Sequence, residues 1–194
     1  MPRASRRQEI LEAATRNVAA NGYSGARTRG IAESAGMSEA AIYRHFGSLE
    51  DLGQEVYRVA FSKYAERIQE ATDAGEAPSE KIRNAIRATL TLYREDRPAF
   101  IATLIRLPNF TPALPEGLIY PINRIESIIR DGQDAGVIRP GEPLLLAAMF
   151  FGALLRPMLL AEGSAAGPFA MLDDTQYDQT IEDVALATLF PAQD

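Results

Sequence analysis

The sequence predicts an all-helical fold, on three observations. Apolar residues recur three and four apart instead of alternating, and the breaks fall at Gly and Pro placed as helix punctuation. In addition, 46% of the 194 residues are apolar, enough to bury a substantial core, and there is no cysteine to form a disulfide framework. The absence of cysteine also removes thiolate nucleophiles and thiolate-bound metals, and it fits a reducing cytoplasm. The opening stretch MPRASRRQEILEAATRN breaks every apolar run with charge, unlike a secretory signal. The longest apolar block, LLLAAMFFGALL at 144–155, has 12 residues and suits a buried helix better than a membrane span of about 20. A soluble chain without membrane contact is expected.

The elements follow in order. Ser5 with Gln8 makes a capping pattern, and Ile10, Leu11, Ala14 and Val18 form one stripe until Asn21 and Gly22 stop the first helix. Thr28 is positioned to cap a short second helix over 29–35, closed by Gly36. Ser38 caps a third helix over 39–46, with Glu39 near its positive start. Ser48 and Asp51 then open a long fourth helix through Leu52, Val56, Ala60, Tyr64 and Ile68. Long helix, short helix, tight glycine turn and short helix together are the arrangement of a helix-turn-helix unit, whose second helix enters the DNA major groove.

The charge distribution agrees with that reading. Net charge is −6, which argues against a polyanionic partner, yet residues 1–47 carry seven Arg against four Glu while residues 48–194 carry 13 basic against 22 acidic side chains. A basic head on an acidic body points to a nucleic-acid-binding end, with chance as the alternative for so small an excess. In the third helix Ile42 and Phe46 are four apart and face inward, leaving Glu39, Ala40, Tyr43, Arg44 and His45 on other faces. Arg pairs with guanine edges, and Tyr hydroxyls and helix-start amides hold phosphates. Arg3, Arg6 and Arg7 are candidates for a flexible arm on the backbone or minor groove, or else they solubilise a frayed terminus.

The stretch RTRGIAESAGMSEAAIYRHFGSLEDL, 27–52, resembles the helix-turn-helix signature of the TetR family of bacterial transcription regulators. That resemblance implies a three-helix DNA-binding head at 1–49 and a helical ligand-binding and dimerisation body at 50–194, about nine helices in all. It places Thr28, Tyr43 and Ser48 at phosphate-contacting positions, and Arg29, Glu39, Ala40, Arg44 and His45 where they face bases or nearby backbone, with Ser38 capping the reading helix. Two residues depart from the family pattern. Leu49 stands where the family often has Lys, and Arg27 where it often has Ser or Thr.

Body helices are expected over 50–74, 79–96, 98–107, 116–134, 143–161 and 175–190. The helix from Pro143 is apolar on almost every side, so it must be covered all round, either wholly inside its own core or with one side on that core and the other on a second copy of the chain, Ala148 and Gly152 allowing close approach. Phe151 and Leu155 on it, with Tyr177, Ile181, Val184 and Thr188 on the last helix, are the candidate homodimer interface. Aromatic and soft side chains are candidates to line a pocket for a small-molecule effector, with ordinary packing as the alternative for each: Phe61, Tyr64, Tyr93, Phe100, Phe110, Tyr120, Met149 and Phe150. Arg106, Asn123 and Arg156 are possible polar anchors, and Arg156 calls for an acidic ligand group or a carboxylate such as Glu126 or Asp183.

No cofactor or metal is expected, because the chain has no Gly-rich phosphate loop and no HExxH or ExxH pattern. No catalytic residues stand out either, since the one histidine lies on the proposed reading helix, away from the body's carboxylates. A helical dimerisation module with a protein-binding head, and an enzyme using carboxylates alone, are the competing readings. The expected function is a ligand-responsive regulator, a repressor, that binds a palindromic operator as a homodimer and leaves it when a small molecule occupies the body.

Overall fold

The computed structural model describes residues 5–106, 115–162 and 175–190, in which nine α-helices and no strand occur. The first helix, α1 (Arg6–Asn21), starts where the Ser5 hydroxyl accepts the Gln8 N–H at 3.2 Å and ends at Gly22, whose φ of 68° few other residues adopt. Next come α2 (Thr28–Ala35), α3 (Glu39–His45) and the 25-residue α4 (Leu49–Asp73). Ser38 and Ser48 cap α3 and α4, accepting from Ala41 and Asp51 at 3.2 and 3.0 Å. Between α2 and α3, Gly36 lies in the left-handed region at φ 65° and ψ 35°. Its N–H reaches Glu33 O, and that of Met37 reaches Ala32 O, so the turn satisfies the last carbonyls of α2.

The chain continues through α5 (Pro78–Glu95), α6 (Arg97–Ile101), a π turn over Ala102–Arg106, α7 (Pro121–Asp134), α8 (Pro143–Glu162), a 3-10 turn at Thr175–Tyr177 and α9 (Asp178–Ala187). Four expectations need correction. Thr28 does not cap α2, because Arg27 holds the N-cap position without a side-chain bond and the Thr28 hydroxyl is engaged by Tyr43. The helix expected over 98–107 is a single short helix opening into the π turn, where Thr103 bonds back to Ala99 O at 2.7 Å. The helix expected from residue 116 begins only at Pro121, because Gly117 sits at φ 84° and cannot continue it. The last helix ends at Ala187, three residues early, where the Arg139 guanidinium takes the carbonyls of Ala187 and Phe190.

Two compact units divide the chain, the first running to Lys63 and resuming at Asp96, the second holding 64–95 and the residues from Pro115. The core of the first is built from Ile10, Leu11, Val18, Ile31, Ile42, Phe46, Leu52 and Val56, each 6% exposed or less. In the second, α7 packs on α8, and α5 packs on both α7 and α9. Its core holds Ile82, Ile86, Tyr93, Ile125, Ile129, Phe150 and Leu189. Arginines of α5 tie it to α9: Arg83 and Arg87 meet the buried Glu182, and Arg94 meets Asp178.

Helix α8 is not covered all round within one chain. Leu146, Ala147, Phe150, Leu154 and Met158 form its buried stripe, whereas Leu145 is 58% and Met149 55% exposed. By length and composition its 19-residue apolar stretch is enough to cross a membrane, more than the 12-residue block suggested, and 33% of it is buried inside the chain. The rest of its apolar surface stays open among the described residues.

Candidate nucleic-acid interface

The interface is built by α2 and α3. Their inner faces meet through Ile31, Ala32, Ile42 and Phe46, with Ala35 and Met37 half-buried at the edge. Ile42 and Phe46 point inward because they are one helical turn apart, so the residues between them must point out. At the other side the hydroxyls of Thr28 and Tyr43 meet at 2.9 Å, tying the first residue of α2 to the middle of α3. A glycine turn and a hydroxyl bridge thus fix the mutual angle of two helices too short to be stable alone.

Eight of the nine residues singled out from the sequence lie on or near the outer surface. Arg29, Ser38, Glu39, Ala40, Arg44 and His45 are exposed, Tyr43 is 48% exposed and Ser48 is half-buried. Thr28 is the exception, being only 8% exposed with its hydroxyl turned to Tyr43. Arg29 is held by Glu33 at 2.9 Å on the surface of α2, and that hydrogen bond raises its already high pKa. Among the described residues no carboxylate pairs with Arg44. It is thus a free cation on the outer face of α3, next to His45.

The arm reading changes. Arg6 and Arg7 belong to the first turn of α1 and are engaged within the chain, Arg6 by Glu9 at 3.0 Å and Arg7 by Glu55 at 2.8 Å, and Arg3 falls outside the described residues. Arg7 also lies over the Phe46 ring, its guanidinium carbon 4.6 Å from the centroid. Glu55 further accepts from Arg58 at 2.7 and 2.9 Å. That bond first, and Arg7's after it, hold its carboxyl at about 2 from an ordinary 4.5 despite the opposing effect of burial. Sequence reasoning missed Glu55 and Arg58, since nothing local links residues 48 positions apart. Leu49, in the position often taken by Lys, is half-buried against the core of the first unit.

The body candidates separate into two groups. Tyr64, Tyr93 and Phe150 are buried in the second unit, and burial pushes the Tyr64 phenol up to about 12, against a hydrogen bond with Thr89. Phe100 is buried in the first unit, where Phe61 stacks on Tyr57 with centroids 5.4 Å apart. Tyr120 is half-buried, while Asn123, Met149 and Arg156 are exposed. Phe110 and the side chain of Arg106 lie outside the described residues. The carboxylates considered for Arg156 have other partners, since Glu126 accepts from Arg130 and Asp183 from Gln179. Of the interface candidates, Val184 is 56% exposed, and Phe151, Leu155, Tyr177, Ile181 and Thr188 are half-buried. No metal-binding cluster occurs among the described residues.

The family model of bacterial regulatory proteins of the tetR family matches residues 10–56, the segment that carries α1 to the start of α4. Residues 10–56 thus carry the DNA-binding head of the tetR family of bacterial regulatory proteins. It is similar to the fatty acid metabolism regulator protein of Bacillus subtilis, 26% identical over 75% of this chain and 78% of that one. The transcriptional repressor AcnR of Corynebacterium efficiens is 44% identical over 64 residues, which span 33% of this chain and 34% of that one. Among solved structures, AibR in complex with isovaleryl coenzyme A and operator DNA shares the fold, with a TM-score of 0.75 at 22% identity over 97% of this chain and all of that one. With that head, and with transcription regulators as its relatives, the chain is a DNA-binding transcription regulator, not an enzyme.

Proposed function

We propose that this protein is a cytoplasmic repressor of the TetR family that binds a palindromic operator as a homodimer and is released by a small molecule bound in its body. The observation that carries the reading is the α2–α3 unit. Ile42 and Phe46 anchor a seven-residue helix whose opposite side offers Glu39, Ala40, Tyr43, Arg44 and His45 to the solvent. The small Ala40 and Ala41 let that backbone approach a groove, Arg44 and His45 supply donors for base edges, and the Tyr43 hydroxyl supplies a phosphate contact. Residues up to 49 serve as the head and 50–194 as the ligand-binding and dimerisation body.

One such helix reads few base pairs. Two of them, spaced by about one DNA turn of 35 Å, read a palindrome, and the exposed apolar face of α8 and α9 is what a second copy would cover. Burial of that face between copies also accounts for a helix of membrane-like composition in a protein that works on DNA. The name of the AcnR relative supports repression, and the names of the fatty acid regulator and the AibR complex direct a ligand search to acyl coenzyme A thioesters. Whatever the effector, it alters DNA affinity only by its differential affinity for two states of the protein.

Selection from randomised duplexes tests the reading. An enriched palindrome is expected, and Arg44→Ala should change the preferred bases. If no sequence is enriched, the chain does not read DNA in this way.

A further inference from the structure

We propose that Arg7 and Glu55 are positioning residues for the reading helix, and that Arg7 acts in this way instead of contacting phosphate; the inference rests on the DNA-reading function proposed above. Helix α3 has seven residues, less than two full turns, so its orientation must be imposed from outside. The Thr28 hydroxyl holds Tyr43 in the middle of α3. At the other end is Phe46, the C-cap residue, whose N–H reaches Ile42 O at 2.9 Å.

Arg7 sits on the Phe46 ring and is held there by Glu55 of α4, which in turn is held by Arg58 one turn further along the same helix. The result is a chain of contacts from α4 through α1 to the last residue of the reading element. Because Phe46 directly follows Arg44 and His45, a displacement of its ring moves both readers. The geometry suits the role. The Glu55 side chain is only 17% exposed and uses both oxygens, whereas Arg7 is 47% exposed, so the bridge is part of the packed structure on one side and accessible on the other. A phosphate that reached Arg7 on its exposed side would compete with Glu55 and with the ring for the same guanidinium.

Positioning and phosphate contact predict opposite signs for one substitution. Glu55→Gln removes an anion near the DNA and loosens Arg7. If Arg7 contacts phosphate, operator binding is equal or tighter. If Arg7 positions Phe46, binding is weaker. The experiment uses the full chain, the duplex recovered by selection and a scrambled duplex, and follows affinity across a salt series with thermal unfolding measured in parallel. Arg7→Met leaves Glu55 paired with Arg58, so this variant keeps its buried carboxylate satisfied.

Both Arg7→Met and Glu55→Gln are expected to weaken operator binding about tenfold, the low end for losing a hydrogen bond to a charged group, as the exposure of Arg7 requires. Scrambled-duplex affinity and the salt slope should stay close to those of the unsubstituted protein. Operator binding undiminished in Glu55→Gln overturns the proposal. So does a salt slope flattened by about 0.9 per protomer in Arg7→Met, the mark of one lost phosphate contact. An equal loss on both duplexes that tracks the unfolding temperature also overturns it, because a merely structural role gives that pattern. If the unsubstituted protein fails to prefer the selected duplex, the DNA-reading function itself fails, which is a separate outcome.

Discussion

Charge placed on the open face of α8 and α9 should dissociate the proposed dimer, and the double substitution Leu145→Glu, Val184→Glu is the sharpest form of the test. The two side chains are 58% and 56% exposed within one chain, so a partner can bury roughly half of each. Full burial of a Leu or Val side chain is worth about 1.5–3 kcal/mol, so half of each contributes about 1 kcal/mol. Two-fold symmetry uses each residue twice, giving about 4 kcal/mol, or roughly a thousandfold in the dissociation constant. Four buried carboxylates without partners would add to that. The single chain loses little, because both positions already face solvent in the monomer. Sedimentation velocity should therefore show the unsubstituted protein at the mass of two chains and the variant at the mass of one, with helix content unchanged. Val59→Glu, at a 41% exposed apolar position of the first unit, serves as the control and should leave the mass at two chains. A variant that still sediments as two chains would refute the assignment of this face, and an unsubstituted protein that sediments as one chain would refute the dimer.

Thr28→Val keeps shape but removes the hydroxyl that holds Tyr43, so operator affinity should fall while unfolding free energy drops by only about 0.5–1.5 kcal/mol, because the half-exposed Tyr43 hydroxyl can turn to water; an unchanged affinity by fluorescence anisotropy would show that the bridge does not position Tyr43. The Glu55 carboxyl is depressed in the fold from 4.5 to about 2, so its contribution is complete above pH 4.5 and is lost as pH falls towards 2. The full shift corresponds to about 3.4 kcal/mol, reduced to about 1–2 kcal/mol by solvent screening of its half-exposed arginine partners, and Glu55→Gln should flatten denaturant-measured stability across that window. Gly132→Ala gains about 1 kcal/mol of helix propensity but places a Cβ 2.5 Å from Ile138 Cδ1 and 2.7 Å from Cγ1, where overpacking costs about 1–3 kcal/mol. Because Ile138 is buried and has little room to turn, a lower melting temperature is expected.

What was legible in the sequence was periodic or local. The stripe of α1, the serine caps of α3 and α4 and the Gly36 turn are each specified within a few residues, and they appear where those residues require. The boundaries that moved depended on tertiary partners. Thr28 looked like a cap until the fold brought Tyr43 to it from 15 residues away. The end of α9 was set by Arg139, 48 residues from Ala187, and the π turn after α6 left no periodic signature. The same distinction explains the interface. Alternation of inward Ile42 and Phe46 with outward Tyr43, Arg44 and His45 is readable from spacing, whereas the bridge from Arg7 to Glu55 needs three helices already packed.

These pairings change what the positive charge of the head means for DNA. Seven arginines in residues 1–47 suggested a broad electrostatic grip, but within the fold Arg7 is committed to Glu55 and Phe46, and Arg27 to the carbonyls of Ser24 and Ala26. Arg6 and Arg29 are paired as well, though in exposed, solvent-screened contacts with Glu9 and Glu33 that a phosphate or a guanine can replace at small cost. Leu49 adds packing to the core at a position where a lysine would add a phosphate contact. With Arg7 and Arg27 committed inside the fold, non-specific affinity should be weaker and its salt slope shallower than seven arginines alone suggest. On the proposed reading, discrimination then rests mainly on Arg44, His45 and an Arg29 traded from Glu33, so in this head the positioning contacts should matter more to operator choice than its net charge does.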